Sequence, residues 1–292
     1  MSIEAIIHEI PQLSQDFVSI ERLSGGLCNE TYKVRTKHDA YVLRVNGKQN
    51  EYLNLTRRSE VEVMKKASRI GMSPSVIAGD QPERYVVTAF VEGRMPVQED
   101  LRDPAIRVKI MERLKQIHRM EGNGRQCSPY QLIDGYLRGA ERLRVKHPAG
   151  LGRFLRLAEE IAHRRGGDKA YNGRFCHNDS FLCNMIYTGS DLQVIDWELS
   201  GRGDVFFDLA IIPFSSRFAE AEEKAWLKLY FGHYEDEQYA ILQDMKMMNM
   251  LREVAWGLLY SGLNKASGAH DFDYYTHAEY ALERLEQGLY FL

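Results

Sequence analysis

The sequence predicts an α+β protein in which a small β-rich N-terminal lobe precedes a larger, mostly helical C-terminal lobe. Strand-like segments dominate roughly the first ninety residues, and apolar residues at helical spacing dominate most of the remainder. The change in character falls at Val91–Pro96, where Gly93 and Pro96 are typical of a hinge. We therefore expect two lobes, residues 1–92 and residues 93–292.

The composition is that of an ordinary globular protein. The chain has 292 residues, of which 44% are hydrophobic and 27% are charged, and it is long enough to bury a large core. Its formal net charge of −3 gives no general reason to expect nucleic acid or an anionic membrane as a partner. The chain has no apolar run near the roughly 20 residues of a membrane span, and its N-terminus does not resemble a signal peptide. We expect a cytoplasmic protein.

The N-terminal region is predicted to contain strands interrupted by one helix. The helix is expected at 57–70, because Val63, Ala67 and Ile70 recur at helical spacing and Gly71 follows as a stop signal. The strand-like segments are rich in aromatic and β-branched residues: Phe17–Leu23, Thr31–Arg35, Tyr41–Val45 and Tyr85–Phe90.

The C-terminal region is predicted to be helical apart from one insert. Asp103 followed by Pro104 offers an N-cap and a first helical residue. Helical spacing recurs in later segments and continues through a long helix expected at 237–264. Between these helices, residues 174–208 have the short strands and tight turns of a β insert.

The β insert carries the strongest chemical signal. It contains HNDSFLCN at residues 177–184 and VIDWE at residues 194–198. In kinase-type phosphoryl transfer, one Asp accepts the proton of the attacking hydroxyl, while an Asn five residues later and a second Asp hold magnesium. Alternatively, Asp179 and Asn184 are turn residues and Asp196 caps the next element. The combination of both segments favours the catalytic interpretation.

Three separated segments of the chain match the sequence pattern of a single family, and they occur in the same order as in that family. They are LSGGLCNETYKV, YVLRVNGK and FCHNDSFLCNMIYTGSDLQVIDWELSGRGDVFFDLA. The chain resembles the choline/ethanolamine kinase family, which belongs with the aminoglycoside phosphotransferases and shares the bilobal protein-kinase-like fold. The resemblance implies ATP as co-substrate and Mg²⁺ as cofactor. It also implies Asp179 as the catalytic base, Asn184 and Asp196 as magnesium ligands, and Glu198 as a further ligand.

The nucleotide is expected to contact a glycine-containing loop between two strands. Paired glycines allow backbone N–H groups to approach phosphates closely. A plain turn is the alternative from these residues alone, and the resemblance favours the nucleotide-binding interpretation. The loop residues singled out are Ser24, Gly25, Gly26 and Asn29.

Arg44 occupies the position at which protein kinases place a phosphate-contacting Lys. The choline kinase pattern also has Arg there, and a guanidinium can grip phosphate with two N–H groups. The segment RRSEVEVM resembles the family's Arg-x-x-Glu stretch and favours Glu60 as the partner of Arg44. Glu62 is the rival, although Lys66 lies four residues further on and could pair with it.

The acceptor site is expected on the long C-terminal helix. Trp256 and Tyr260 lie four residues apart, and the resemblance places tryptophans here at the acceptor pocket, where aromatic faces attract ammonium groups. Simple packing of this pair is the alternative, and Trp226 is more simply a core residue. His177 is expected to position the catalytic loop, and Asp208 of FFDLA to support it through hydrogen bonds.

Three residues depart from the family's acceptor pattern. Leu199 replaces an aromatic after the IDWE segment, Arg202 adds a cation close by, and Arg217 follows serines where a carboxylate is expected. The expected function is transfer of the γ-phosphate of ATP to the hydroxyl of choline, ethanolamine or a similar cationic amino alcohol. Thiamine or an aminoglycoside are alternative acceptors, and a non-catalytic nucleotide-binding pseudokinase is the alternative of another class.

Overall fold

The computed structural model describes residues 2–23, 29–47, 56–79, 83–121, 125–167, 171–267 and 272–291. Their contacts divide the chain into two compact units. The first consists of N-terminal residues up to Met95 together with Met185–Glu198, and the second of Pro96–Asn184 with Leu199–Leu292. The segment Met185–Glu198 therefore belongs by its contacts to the first unit, although it comes late in the chain.

The strands of the described residues are short. In chain order they are β1 (Phe17–Arg22), β2 (Asn29–Thr36), β3 (Ala40–Asn46), β4 (Val76–Ala78), β5 (Tyr85–Ala89), β6 (Asn172–Cys176), β7 (Met185–Tyr187), β8 (Leu192–Val194) and β9 (Gly201–Asp204).

The helices of the described residues lie mostly in the second unit. In chain order the α-helices are α1 (Ile3–Glu9), α2 (Pro11–Ser14), α3 (Arg57–Arg69), α4 (Pro104–His118), α5 (Pro129–Arg142), α6 (Leu151–Gly166), α7 (Val205–Ser215), α8 (Glu220–Phe231), α9 (Asp236–Ser267) and α10 (Tyr274–Glu286). Single 3₁₀ turns occur at Gln98–Arg102, Leu182–Asn184 and Trp197–Leu199.

An antiparallel five-stranded sheet forms the framework of the first unit, in the order β1-β2-β3-β5-β4. It confirms the predicted strands and adds β4, which is too short to show a pattern in the sequence. In the central strand β3, Arg44 lies opposite Thr31 of β2 and Val86 of β5. Its backbone is therefore fixed by pairing on both sides.

Two N-terminal helices were not expected, because the sequence analysis placed a single helix in this region. Ser2 caps α1 by accepting a hydrogen bond from the backbone N–H of Ala5 at 3.3 Å. Ile6, Ile10 and Leu13, spaced four and three residues apart, are buried in the core of the sheet. That spacing is a helical signal, so the expectation of mostly strand was wrong for residues 3–14.

The hairpin β7–β8 is held to the first unit by backbone and side-chain hydrogen bonds. Arg94 and Tyr187 exchange two backbone hydrogen bonds of 3.1 and 2.8 Å. The N–H of Val194 donates to the carbonyl of Met72 at 2.7 Å, and the indole of Trp197 donates to the hydroxyl of Ser73 at 3.2 Å. These bonds fix the segment that carries Asp196 and Glu198.

In the second unit, helices surround the β6–β9 pair. The predicted N-cap is confirmed, since the carboxylate of Asp103 accepts from the N–H of Ala105 at 2.8 Å. Asp204 caps α7 in the same way at the N–H of Phe206, 2.9 Å away. Helix α7 is almost wholly buried, as expected of a central core helix that is apolar all round.

The long helix α9 packs against α5, α7 and α10. One face of α9 carries a stripe of apolar residues at helical spacing, most of which are buried, although Ile241 is only half-buried. Trp226 is also buried and donates its indole N–H to the carbonyl of Leu209 at 2.9 Å, which confirms its interpretation as a core residue. Within the described ranges, even α9 lacks the apolar stretch that crossing a membrane would require. The buried members of the stripe are Met245, Met248, Leu251, Ala255 and Leu258.

Candidate active site

Asp208 supports the backbone that leads to Asp179. Its carboxylate accepts hydrogen bonds from the backbone N–H groups of His177 and Asn178, at 2.8 and 2.6 Å. Asn178 has a left-handed backbone with φ of 63°, a conformation that asparagine tolerates better than most residues. The amide of Asn178 donates to the carbonyl of Leu199 at 3.0 Å. Asp208 thus supports this turn as the sequence analysis expected, while the role of His177 stays a prediction.

A second support for the loop was missed by the sequence analysis. The Nε2 atom of buried His118 lies 3.1 Å from Oδ2 of Asp208, and its Nδ1 atom lies 2.8 Å from the hydroxyl of Tyr230. The three side chains come from α4, α7 and α8. The only sign of this role in the sequence was that a polar residue, His118, ends α4 in line with its apolar positions.

Both carboxylate oxygens of Asp179 accept hydrogen bonds. Oδ2 accepts from the amide of Asn184 at 2.7 Å, and that amide also donates to the backbone carbonyl of Asp179 at 2.8 Å. Oδ1 accepts from the guanidinium of Arg252 at 3.1 Å. Burial raises the pKa of Asp179 above its usual value, although the positive charge of Arg252 opposes that effect. The carboxylate is fixed in orientation and more basic than an exposed aspartate.

Arg252 links the catalytic loop to helix α9. Its guanidinium also donates to the backbone carbonyl of Asn178 at 3.1 Å and to the carboxylate of Glu253 at 3.0 Å. The sequence alone offered no means of locating the partner of Arg252, Asp179, which lies 73 residues away. The contact with Asp179 is therefore new information from the structure.

The side chain of Asn184 offers an amide oxygen, a donor type that suits magnesium. Its amide nitrogen is occupied by Asp179, and its side-chain oxygen lies 4.0 Å from Sγ of Cys183. Magnesium favours hard oxygen donors, and an amide oxygen combined with carboxylates is a suitable set. The residues present therefore fit the metal that the sequence analysis expected.

In the first unit, Arg44 and Glu60 form a two-pronged ion pair. Nη1 and Nη2 of Arg44 donate to the two oxygens of Glu60 at 2.6 and 2.7 Å. The preference for Glu60 over Glu62 is therefore confirmed, and exposed Glu62 lies 3.8 Å from Arg58 instead. The fork of Arg44 is already used on Glu60, so a phosphate can meet only its remaining N–H groups.

Arg57 is a buried residue that the sequence analysis did not single out. It is 1% exposed, and its Nη1 atom donates to Glu60 at 3.0 Å and to Glu198 at 2.7 Å. Its Nη2 atom donates to the side-chain oxygen of Asn29 at 2.9 Å. Glu60 therefore accepts from two arginines, and its pKa is lowered because their charges outweigh the opposing effect of burial.

Asp196 and Glu198 lie close to this cluster. Burial lowers the pKa of Arg44, but Glu60, Asp196 and Glu198 together raise it well above its usual value. Asp196 has a left-handed backbone with φ of 64°. Because one oxygen of Glu198 already binds Arg57, Glu198 is a weaker candidate metal ligand than Asp196.

The candidate nucleotide loop is described only at its end. Ser24, Gly25 and Gly26 lie outside the described residues. Asn29 begins β2, and its side-chain oxygen accepts from the backbone N–H of Gly47 at 3.3 Å as well as from Arg57. The side-chain oxygen of Asn29 thus links the start of β2 to Gly47, just after β3, and to the side chain of Arg57.

Trp256 and Tyr260 belong to an aromatic cluster shared by α9 and α10. Their ring centroids are 4.9 Å apart, and Tyr274 lies 5.4 Å from Trp256 and 5.6 Å from Tyr260. His277 and Phe272 extend the cluster, with centroids 5.6 Å apart. Trp256 is half-buried and Phe272 is 51% exposed, so part of this aromatic surface is accessible.

Comparison with known proteins identifies the family. The model of the phosphotransferase enzyme family APH matches residues 19–245. The chain belongs to this family. Among individual relatives, a probable choline kinase 2 from Arabidopsis thaliana is 25% identical over 91% of this chain and 83% of its own length.

Solved structures of this phosphotransferase group share the fold. Choline kinase LicA from Streptococcus pneumoniae matches with a TM-score of 0.78 at 23% identity, covering 98% of each chain. A choline/ethanolamine kinase family protein from Mesorhizobium loti matches with a TM-score of 0.77 at 24% identity, covering 98% of this chain and 92% of its own. The predicted kinase-like fold, a five-stranded antiparallel sheet followed by a mostly helical region, is confirmed.

The three residues that depart from the choline kinase pattern have different surroundings in this phosphotransferase. Leu199 is buried, and its carbonyl accepts from the Asn178 amide. Arg202 donates to the backbone carbonyl of Gly173 at 3.2 Å. Exposed Arg217 lies over the ring of Phe291, 5.4 Å from its centroid. Leu199 therefore contributes to the core, and Arg202 to the support of a backbone carbonyl.

Proposed function

We propose that this phosphotransferase is an ATP- and magnesium-dependent kinase that phosphorylates the hydroxyl of a small amino alcohol, with choline or ethanolamine as the leading acceptor. The observation that carries the proposal is the pairing of Asp179 with Asn184, in the Asp-x4-Asn arrangement of kinase-type phosphoryl transfer. Family membership supports the reaction class, and relatives named as choline kinases support the acceptor. A cytoplasmic location is part of the proposal.

Asp179 acts as the general base. Each carboxylate oxygen has lone pairs beyond the one used by Asn184 or Arg252, so it can accept a further proton. The acceptor oxygen forms a bond to the γ-phosphorus while the bond from phosphorus to the β–γ bridging oxygen breaks. The hydroxyl proton passes to Asp179, and ADP leaves with the bridging oxygen's electron pair.

Asn184, Asp196 and Glu198 are the residues that would hold magnesium, and Glu198 also pairs with Arg57. When bound, the metal neutralises charge on the phosphates. Asn184 has a second function in this scheme, since the same side chain that offers its oxygen to the metal also holds Asp179 through its amide nitrogen.

Arg44 contributes a positive charge toward the nucleotide phosphates, and Glu60 fixes its orientation. The loop that contains Ser24, Gly25 and Gly26 covers the phosphates in this scheme. The half-buried face of Trp256 and its aromatic neighbours provide a surface that attracts an ammonium group. Tyr260 is buried and supports Trp256 from behind.

The proposal is tested by measuring ADP release with magnesium and a panel of acceptors: choline, ethanolamine, thiamine and an aminoglycoside. We expect turnover with choline or ethanolamine, with the phosphomonoester product identified by mass spectrometry. The substitution Asp179→Asn should lower kcat by about 10²–10⁴-fold, the range for loss of a general base, while ATP binding is retained.

Asp134→Asn is a matched control on the same unit, because Asp134 forms an i,i+4 pair with a largely exposed arginine. It should leave turnover unchanged. If thiamine or an aminoglycoside were the preferred substrate, the proposed acceptor would be wrong and the proposed reaction class would stand. Magnesium-dependent ATP binding without turnover of any acceptor would support a non-catalytic nucleotide-binding protein instead.

A further inference from the structure

Arg252 contacts the candidate base directly, although it lies on a different element. Its side chain is 3% exposed, and Nη1 donates to both the Asn178 carbonyl and Oδ1 of Asp179 at 3.1 Å. Nη1 of Arg252 therefore fixes both the backbone just before Asp179 and one carboxylate oxygen of Asp179. Asn184 fixes the other oxygen, so the rotation of the carboxylate is determined from two sides.

The guanidinium of Arg252 is itself held in place. Nη2 donates to Glu253 at 3.0 Å, and the other oxygen of Glu253 lies 3.4 Å from Nε2 of His277 on α10. The rings of Phe181 and Phe207 lie 4.8 and 5.8 Å from the guanidinium carbon. A planar guanidinium can stack on aromatic rings and donate from two nitrogens at once, whereas the ammonium group of lysine cannot.

The charge arrangement explains why an arginine is placed here. Ionisation of a buried carboxylate is costly unless a cation compensates for it. Nη1 of Arg252 lies 3.1 Å from Oδ1 of Asp179 and supplies a positive charge to that carboxylate. Arg252 can therefore orient the base without contacting the reacting atoms.

We propose that Arg252 is a positioning residue for phosphoryl transfer, which aligns the Asp179 carboxylate with the acceptor hydroxyl and is aligned in turn by Glu253. This inference rests on the proposed function, in which Asp179 is the base. The contacts of Arg252 are with Asp179, the Asn178 carbonyl and Glu253, so its contribution concerns the orientation of the base. Loss of Arg252 should therefore lower kcat more than it raises the KM for the acceptor.

The test compares the wild type with Arg252→Lys and Arg252→Met, measuring kcat, the KM for ATP, the KM for the acceptor and the thermal unfolding midpoint. A small displacement of a catalytic group can cost about 10²-fold in rate, and we expect a loss of that order in kcat for Arg252→Met, with both KM values within about threefold. Arg252→Lys should recover part of the rate, because it restores the charge without the fork.

Arg138→Met is the matched control, since the Arg138 side chain is 74% exposed and pairs with a surface aspartate. It should behave as the wild type. Glu253→Gln tests the same inference with Arg252 retained. It should lower kcat by a smaller factor than Arg252→Met in a protein that still folds, which keeps the test available if Arg252→Met fails to fold.

Two results would overturn the inference. One is an unchanged kcat in Arg252→Met, or in Glu253→Gln if the first variant does not fold, whatever the change in unfolding midpoint. The other is a loss expressed wholly in the KM for the acceptor, which would make Arg252 an acceptor contact. A wild-type protein without turnover on any acceptor is a separate outcome, because it refutes the proposed function and this inference with it.

Discussion

Two clusters join arginine and carboxylate side chains in different patterns, one around Glu60 and one around Arg252. In the Glu60 cluster, Arg44 and Arg57 both donate to the one carboxylate of Glu60. In the Asp179 cluster, the carboxylates of Asp179 and Glu253 share the one guanidinium of Arg252. Glu60 thus has two arginine donors, whereas Arg252 has two carboxylate acceptors.

The pKa values of Glu60 and Asp179 shift in opposite directions. At Glu60, two cations outweigh burial and lower the pKa, so the carboxylate stays ionised. At Asp179, burial outweighs the opposing charges of Arg252 and His177 and raises the pKa. The same residue types therefore produce a fixed ion in one place and a better proton acceptor in the other. We infer that the Glu60 cluster mainly stabilises its unit and the Asp179 cluster mainly serves chemistry.

The largest effect on stability is expected from breaking the Glu60 cluster with Arg57→Met. Removing one partner from a buried charge network typically costs about 3–5 kcal/mol, because Glu60 and Glu198 lose their shared donor. Urea unfolding of the variant should show a loss of this size in the free energy of unfolding.

Arg58→Met is the control for this prediction, since it changes the neighbouring residue on the same helix. The Arg58 side chain is 81% exposed and lies 3.8 Å from Glu62, so the change should stay within about 0.5 kcal/mol. Equal losses for the two variants would remove the basis for treating the Glu60 cluster as a stabilising network.

A smaller effect with a defined pH dependence is expected from Glu60→Gln. The folded-state pKa of Glu60 lies below its ordinary value of 4.5. Its ionisation therefore adds stability above that value, and the contribution is lost as the pH falls through the folded-state pKa. The difference in unfolding free energy between wild type and Glu60→Gln should be largest near pH 7 and should narrow below about pH 4.5.

Urea unfolding at a series of pH values checks this prediction. Glu62→Gln provides the comparison, because its side chain is 67% exposed and makes only a long contact. If the loss of unfolding free energy in Glu60→Gln, relative to the wild type, grew as the pH fell, the sign of the predicted effect would be wrong.

The smallest effect is expected at the acceptor wall, from Trp256→Phe. A cation–π contact contributes about 0.5–2 kcal/mol, and phenylalanine retains part of it. The KM for a cationic acceptor should therefore rise several-fold, while the KM for ATP stays the same. Steady-state kinetics with each substrate varied in turn measures both. A change in the KM for ATP alone would assign Trp256 to the nucleotide.

The sequence predicted those features that depend on local pattern. The strands around Arg44 and the N-cap at Asp103 follow from residue type and short-range spacing, and the structure contains them. The pairing of Arg44 with Glu60 could also be predicted, because each residue lies in a segment that resembles the family's pattern. The N-terminal helices were missed although Ile6 and Ile10 carried a periodic signal.

Contacts between distant residues could not be predicted. Arg252 follows the helical pattern of α9 and gives no sign that it reaches Asp179, because that contact depends on how α9 packs beside the loop. Arg57 likewise has the appearance of a surface residue next to another arginine, yet it is buried against Glu198, 141 positions away. A buried charge can be recognised only when the groups that compensate for it are located.

The hairpin β7–β8 has a consequence for how this protein can be divided and made. The hairpin and the residues that follow it up to Glu198 come late in the chain, yet they supply Glu198 to Arg57 and Tyr187 to Arg94. A fragment ending at Met95 would lack these partners, so it should be a poor candidate for separate expression. During synthesis, when N-terminal parts usually fold first, the network around Arg57 cannot close until Glu198 has left the ribosome.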